Sequence, residues 1–195
     1  MKSFDLVAMG GTFDVVHSGH MALLDKAFSI SSKVIIGLSS DQLAKKRGKN
    51  LTSDYPKRLS LLKSVIEKNF PNSSYEISKL ENDFGPAVIE GSVKALVVSE
   101  ETSDKGIRLN ELRAERNLSP VRIVVVPMVL AKDGKAISTT RIKNFEIDDS
   151  GNLNWQLTCL SLSKWNKTKN LTFYNVSITN KMLNKIDSDI TTLQH

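Results

Sequence analysis

The sequence predicts an α/β protein built on a doubly wound, Rossmann-like parallel sheet of five strands with helices on both faces. Two observations predict this fold class. Short apolar runs rich in Val and Ile alternate with segments of helical period, as in chains whose strands are joined by crossover helices. Several runs, such as Val34-Ile35-Ile36, are apolar throughout, which is typical of strands buried on both faces.

The predicted elements follow in order along the chain. Strands are predicted at residues 4–9, 33–38, 75–80, 95–99 and 121–127, because each is a short apolar run rich in β-branched residues. Helices are predicted at residues 19–29, 55–70, 85–91 and 107–117, where apolar residues recur at helical spacing. Doubly wound sheets bind ligands beyond the carboxyl ends of their strands. We therefore expect functional residues in the loops that follow the strands.

Composition predicts one domain followed by an extension. The chain has 195 residues, of which 40% are hydrophobic and 25% charged, as expected of a globular domain. Residues 155–195 contain no Ala, Gly, Pro, Arg or Glu but hold both Trp residues. We predict a domain at residues 1–154 and a dispensable C-terminal extension at residues 155–195.

Several classes of protein are disfavoured. No apolar run approaches the roughly 20 residues of a membrane span, and the first residues lack a signal-peptide pattern, so a cytoplasmic location without a membrane partner is expected. The single Cys159 cannot form an internal disulfide. The net charge of +6 is divided equally between residues 1–154 and 155–195, and the dense basic run at residues 45–49 has no aromatic residue. Nucleic acid is therefore not an expected partner. The sequence predicts no particular oligomeric state.

A glycine-rich turn leads from the first predicted strand into the first predicted helix. Glycines at a strand exit let the backbone approach a phosphate closely, and the free N–H groups of a helix N-terminus attract an anion. His17 and His20 are three residues apart, so both imidazoles lie on one face of the first helical turn and can donate to a phosphoryl oxygen. The candidate phosphate-binding residues of this turn are Gly10, Gly11, Thr12, Phe13, Asp14, His17 and His20.

The same residues allow other interpretations. The His17–His20 pair has the spacing of metal ligands, with Asp14 as a third, but no further Cys or His lies nearby to complete a zinc site. Either histidine is alternatively an ordinary core or surface residue. Asp14 is better suited to bracing the loop through backbone hydrogen bonds than to acting as a base.

With these residues in view, the chain resembles the HxGH nucleotidyltransferase superfamily, whose members carry GTFDxxHxGH early and an ISSTxIR-like segment late. Residues 11–20 match the first motif, and residues 137–143 read Ile-Ser-Thr-Thr-Arg-Ile-Lys. The resemblance implies that this late segment opens a helix whose N-terminus holds the β- and γ-phosphates of ATP. Ser138 can cap that helix, and Arg141 can offer its guanidinium to phosphate. Thr139 and Thr140 complete the predicted site.

Within the superfamily, the chain resembles the archaeal and eukaryotic type of phosphopantetheine adenylyltransferase. The stretches Phe-Gly-Pro-Ala-Val at 84–88, Val-Ser-Glu-Glu-Thr at 98–102 and Asn-Glu-Leu-Arg at 110–113 carry this closer similarity. The resemblance implies transfer of AMP from ATP to 4′-phosphopantetheine, with Mg²⁺ held by substrate phosphates and water rather than by protein ligands. Such chemistry needs orientation and charge stabilisation rather than a covalent intermediate. His17, His20 and Thr12 are then the expected catalytic donors.

The resemblance also implies residues that bind the acceptor. Lys45 or Lys46 is similar to a family lysine that reaches the acceptor phosphate, with Lys45 preferred; the alternative is a solvated charge run. Arg58 is expected to bind acceptor or ATP phosphate, or else to be solvated. Glu100 is expected near the ATP ribose or adenine. Phe84 and Pro86 are expected to line the pantetheine arm or to pack their loop.

Two other functions compete with this one. A sister enzyme would use another acceptor, such as FMN or glycerol 3-phosphate, and the glycine-rich turn does not distinguish among acceptors. A protein of a different class would bind a nucleotide or nucleic acid without catalysis. The presence of both His17 and His20 favours an enzyme.

Overall fold

The computed structural model describes residues 2–85 and 91–154. Its five strands form one sheet and are β1 (Phe4–Gly11), β2 (Ser31–Ser39), β3 (Ser74–Leu80), β4 (Ala95–Ser99) and β5 (Arg122–Val126). Every pairing is parallel, and the strand order is β3-β2-β1-β4-β5. The predicted five-stranded parallel sheet is confirmed.

The helices of the described residues are α1 (Ser18–Ile30), α2 (Asp41–Lys46), α3 (Tyr55–Asn69), α4 (Asp104–Ala114) and α5 (Thr139–Lys143), with a 3₁₀ turn at Glu100–Thr102. None of these helices is long and apolar enough to cross a bilayer. The helix predicted at residues 85–91 falls largely outside the described residues, as does the predicted extension at 155–195.

Helices cover both faces of the sheet, as predicted. On one face, Leu24 of α1 and Leu62 of α3 are fully buried in a cluster with Val34 and Ile36 of β2. On the other face, Leu109 of α4 packs in a second cluster that contains Ile35. Because adjacent β2 residues serve opposite faces, its central run Val34-Ile35-Ile36 is apolar throughout.

Two helices differ from the sequence prediction. The six-residue α2 was not predicted, because so short a helix shows no apolar period; Ser40 caps it by accepting a hydrogen bond from Leu43 N at 3.1 Å. Helix α4 begins three residues before the predicted start at Ile107. The Ile107 side chain is 64% exposed, so the residue that marked the start of the pattern lies on the solvent face.

From β1 the chain adds β2 and then β3 on one side of the sheet, and it then adds β4 and β5 on the other side of β1. The strand order therefore reverses between β1 and β4. The carboxyl ends of these two central strands therefore flank the switch point. A small cluster of Ala131, Ile137 and Ile147 organises the chain after β5, and Ile142 of α5 packs against it. This cluster fixes α5 in place.

Candidate active site

A cleft of about 1140 Å³ opens at the switch point. The turn after β1 lines one part of it, and α5 lines another. The cleft brings together most of the residues predicted for the site, namely Gly10, Gly11, Thr12, Phe13, Asp14, His17, His20, Phe84, Ser138, Thr139 and Thr140.

His17 and His20 lie side by side, with ring centroids 4.0 Å apart. His17 is the N-cap of α1, and its Nδ1 accepts a hydrogen bond from Gly19 N at 3.2 Å. A neutral His17 ring that accepts at Nδ1 carries its proton on Nε2. The cap therefore fixes the tautomer that leaves Nε2–H as a donor for a ligand.

Both imidazoles are neutral at pH 7. Burial lowers the pKa of His17 to about 4, and the charge of Asp149 only partly offsets this. Burial lowers the pKa of His20 to about 3, and the neighbouring His17 lowers it further. The protein therefore presents hydrogen-bond donors here rather than fixed positive charges. A bound phosphate would favour the cationic forms.

Phe13 forms the floor beneath His20. Its side chain is fully buried, its φ is +49°, and its ring centroid lies 4.8 Å from that of His20. A Cβ at residue 11 would lie 2.7 Å from Cε2 of Phe13, which is too close for any residue except glycine. Gly11 is thus required by the packing of Phe13, and Phe13 in turn supports the imidazole.

Asp14 braces the site, as the sequence predicts, but it does so across the fold rather than within its own turn. Its carboxylate accepts hydrogen bonds from Thr52 N at 2.9 Å and Ser53 N at 3.0 Å and forms an ion pair with Lys143. The pKa of Asp14 lies below its usual value: burial opposes the shift, while Lys143 and the two backbone donors outweigh it. Asp14 therefore stays ionised and ties α5 to the loop before α3.

The N-terminus of α1 offers fewer free donors than the sequence predicts. Ser18 N donates to Asp149 O at 3.0 Å, and Gly19 N donates to the His17 ring. The segment that ends the described chain thus occupies part of this helix end. The backbone N–H groups of Ser18 and Gly19 are therefore already bonded within the protein.

Helix α5 presents one face to the cleft. Ser138 caps it by accepting a hydrogen bond from Arg141 N at 3.3 Å, as predicted. Thr139, Thr140 and Lys143 line the cleft, whereas Arg141 does not. Thr139 and Lys143 are four residues apart and share a face, whereas the Arg141 side chain is paired with Asp133 and Glu146. The sequence alone does not distinguish Arg141 from Lys143, because each lies three residues after a predicted site residue, Ser138 and Thr140.

The predicted role of Arg141 in phosphate binding stays a prediction, and in this structure the side chain is engaged elsewhere. Its guanidinium forms ion pairs with Asp133 at 2.5 Å and Glu146 at 3.0 Å, and it also donates to Ala136 O at 3.1 Å. Only 15% of the side chain is exposed. Arg141 holds the loop before α5 to the loop after it.

Arg58 is likewise engaged within the fold, and the structure leaves its side chain no exposed surface. Its side chain is 0% exposed, and its guanidinium donates to Thr12 O at 2.6 Å, Ser39 O at 2.8 Å and Asp41 Oδ1 at 2.7 Å. These acceptors lie just beyond β1, at the end of β2 and at the start of α2. Arg58 thus fastens together the two strand exits that form the cleft.

The lysines predicted to bind the acceptor lie in α2 rather than in a loop at the cleft. Lys45 and Lys46 form its last turn, are exposed and do not line the cleft. Arg47 and Lys49, which follow the helix, do line it, and so does Lys105 of α4. The basic run spans a helix end, and the sequence prediction missed that boundary.

Three other predictions concern the far wall of the cleft. Glu100 does not line it; its carboxylate accepts a hydrogen bond from Met128 N at 3.1 Å, and the adjacent Glu101 lines the cleft instead. Phe84 lines the cleft and packs against the second cluster. Pro86 lies outside the described residues.

The donor set and the fold together define a protein of the nucleotidyltransferase class. The family model described as cytidylyltransferase-like matches residues 8–145. The phosphopantetheine adenylyltransferase of Methanosarcina acetivorans is 40% identical over 149 residues, which is 75% of this chain and 94% of the relative. That of Pyrococcus horikoshii is 40% identical over 154 residues, covering 78% of this chain and 96% of the relative.

A solved structure shows the same similarity in three dimensions. A protein of unknown function from Archaeoglobus fulgidus superposes with a TM-score of 0.58 and 31% identity over 65% of this chain and 89% of its own. The chain belongs to the phosphopantetheine adenylyltransferase family within the cytidylyltransferase-like proteins.

Proposed function

We propose that the chain transfers AMP from ATP to 4′-phosphopantetheine, giving dephospho-coenzyme A and pyrophosphate. The observation that carries this assignment is the pair His17 and His20 on the Phe13 floor, in one cleft with Ser138 and α5. The two relatives described above align with this chain over nearly their whole length. This similarity supports phosphopantetheine as the acceptor.

In this reaction a phosphate oxygen of the acceptor attacks the α-phosphorus of ATP, and the bond to the β-phosphate oxygen breaks as pyrophosphate leaves. The attacking group is already an anion, so no general base is required. The Nε2–H of His17 and the Thr12 hydroxyl are the donors proposed for the α-phosphoryl oxygens. One donor aimed at developing charge contributes about 2.7 to 4 kcal/mol, and orientation of both substrates contributes roughly 7 to 11 kcal/mol.

The triphosphate would extend from His17 and His20 toward α5. Thr139 and Thr140 offer hydroxyl donors there, and Lys143 offers the positive charge that the sequence assigned to Arg141. Lys143 is bound to Asp14 and to Asn50 O. A triphosphate would compete with Asp14 for this ammonium.

Mg²⁺ is proposed to enter with the nucleotide. The described residues contain no group of three or more Asp, Glu, His or Cys side chains placed to hold a metal, and the Asp14 carboxylate is already bonded to Thr52, Ser53 and Lys143. This donor set fits an ion coordinated by phosphate oxygens and water. The ion would supply neutralisation of phosphate charge.

The test is a pyrophosphate-release assay with ATP and a panel of acceptors: 4′-phosphopantetheine, FMN and glycerol 3-phosphate. The proposal predicts turnover with phosphopantetheine and none above background with the other two. Turnover with FMN or glycerol 3-phosphate but not with phosphopantetheine would show that the chain is a related enzyme with a different acceptor. ATP binding without turnover on any acceptor would favour the non-catalytic alternative.

A further inference from the structure

Residues 148–152 form a tight turn, the 148–152 turn, which packs against the segment before α5. The Asp148 carboxylate accepts hydrogen bonds from Asn152 N at 2.8 Å and from Asn152 Nδ2 at 2.7 Å. Gly151 has a φ of +83°, and a Cβ there would lie 2.6 Å from Ile137 Cδ1. The turn is therefore held both by its own hydrogen bonds and by close packing.

The 148–152 turn reaches across the fold to the start of α1. Its Asp149 O accepts two hydrogen bonds from one residue, Ser18, whose backbone N–H donates at 3.0 Å and whose hydroxyl donates at 3.1 Å. Ser18 is the first residue of α1 and directly follows the N-cap His17. The first N–H groups of a helix have no partner within the helix, and here a carbonyl 131 residues away satisfies one of them.

This contact connects His17 to α5. The hydrogen bond from Gly19 N orients the His17 ring only within its own helix. The 148–152 turn, in contrast, follows Ile147, which belongs to the buried cluster that holds α5 in place. A misplacement of about 1 Å in a site can cost about 100-fold in rate. A contact that fixes His17 relative to α5 therefore bears on the rate of the proposed reaction.

We propose that Ser18 is a positioning residue for His17, and that its two hydrogen bonds to Asp149 O hold the imidazole in place relative to α5. Ser18 occupies the position that the HxGH motif leaves open. It acts through His17 and not on a substrate, and the 148–152 turn is its anchor. The inference goes beyond the proposed function but rests on it for the catalytic role of His17.

Ser18→Pro tests the proposal by removing both donors. Proline suits the first position of a helix, and His17 has the extended backbone, with φ −142° and ψ 172°, that suits a residue before proline. We expect kcat with ATP and phosphopantetheine to fall by about tenfold or more, while the KM for ATP stays within about threefold of wild type. Ser18→Ala removes only the hydroxyl and should lower kcat by about threefold, and Ser18→Thr should retain the wild-type kcat.

A double-mutant cycle with His17→Ala separates positioning from a structural role. If Ser18 acts through His17, Ser18→Pro should lower kcat by less than about twofold in the His17→Ala background. Ser31→Ala is the matched control, because Ser31 is the C-cap at the other end of α1 and its hydroxyl donates to Ala27 O at 2.8 Å. Its loss is expected to lower the melting temperature without lowering kcat.

Three results would overturn the proposal. They are a wild-type kcat in Ser18→Pro, an equal fall of kcat in both backgrounds of the cycle, and an equal fall in Ser31→Ala. The last two would show that loss of helix stability is the cause. If Ser18→Pro does not fold, Ser18→Ala replaces it in the cycle, and an unchanged kcat in that variant overturns the proposal.

Asp148→Ala tests the anchor without relying on turnover, because it removes the acceptor that shapes the 148–152 turn. The imidazole resonances of His17 in the NMR spectrum are expected to shift, and unchanged resonances would contradict the proposal. The proposed function is judged separately, by turnover of the wild-type chain. Shifted resonances without wild-type turnover would reject that function and leave the link between the turn and His17 standing, whereas turnover with an indifferent Ser18→Pro would do the reverse.

Discussion

At the scale of single residues, the proposed mechanism depends on neutral imidazoles placed as donors. His17 is fixed by its own helix, because its Nδ1 accepts from Gly19 N. A Cβ at residue 19 would lie 3.1 Å from the His17 ring, so the glycine of the HxGH motif makes room for the imidazole that it orients. The motif is thus a set of mutual packing requirements.

Replacement of His17 tests its role as a donor. His17→Ala is expected to lower kcat by about two to three decades, as for loss of one transition-state donor. The fold is expected to survive, because the imidazole is only partly buried. Steady-state kinetics and thermal unfolding measure the two effects. A variant within a few-fold of wild-type kcat would contradict the role.

The low histidine pKa values predict an acid-sensitive fold. The folded pKa of His17 is about 4 against 6.5 for an unperturbed histidine, so the unfolded chain binds more protons between these values. The free energy of unfolding should therefore fall as pH drops from 7 to 4, by on the order of 2 to 3 kcal/mol for His17. Urea denaturation at several pH values measures this.

The control for that experiment is His17→Asn, which cannot titrate in this range. Its unfolding free energy should fall less steeply with pH than that of the wild type. If the two slopes coincide, burial of His17 is not the source of the acid sensitivity.

At the scale of elements, the sheet was predictable and the boundaries of short helices were not. Strands such as β2 are recognisable in the sequence because burial on both faces gives them an apolar run. The glycine-rich turn is recognisable by its glycines and by its two histidines. The six residues of α2 are too few to show a helical period, so the sequence predicts Lys45 and Lys46 in a loop. In the structure they lie in α2, and Arg47 and Lys49 of the following loop line the cleft instead. The choice of Lys143 over Arg141 in α5 depends on the ion pairs of Arg141 with Asp133 and Glu146, which spacing does not reveal.

Long-range hydrogen bonds were beyond sequence reasoning altogether. Nothing local to Arg58 shows that its guanidinium will be buried against Thr12 O and Ser39 O, since the acceptors lie 46 and 19 residues away. The local sequence around an arginine at a helix start is the same whether the side chain is solvated, binds a ligand or donates hydrogen bonds to two strands.

Arg58 therefore gives a prediction about stability. Arg58→Ala leaves the Thr12 and Ser39 carbonyls without this donor, and we expect the free energy of unfolding to fall by about 2 to 4 kcal/mol. Chemical denaturation measures the change. Under conditions where the variant is folded, its KM for phosphopantetheine should stay within a few-fold of wild type. An unchanged stability with a tenfold higher KM would restore Arg58 as a ligand for phosphate.

At the scale of the whole molecule, the cleft is assembled from both halves of the sheet and closed by the segment around α5. The residues that line it run from Ala8 to Asn144, and Asp149 O reaches back to Ser18 N. A chain ending at Asn154 therefore contains the complete described site.

Truncation after Asn154 tests whether residues 155–195 are dispensable, as their composition predicts. We expect the shortened chain to keep its kcat with ATP and phosphopantetheine within about threefold of the full chain, because every cleft residue and the Arg58 and Arg141 contacts are retained. The assay is paired with gel filtration. Loss of activity or of solubility would show that the extension contributes to the site or to the fold.

The account as a whole depends on where the triphosphate lies. The most direct measurement is a crystal structure of the chain soaked with a non-hydrolysable ATP analogue. We predict the α-phosphate within hydrogen-bonding distance of His17 Nε2, and the β- and γ-phosphates at Ser138 to Thr140 and Lys143. Electron density for the phosphates elsewhere, with His17 and His20 contacting only solvent, would contradict the assignment.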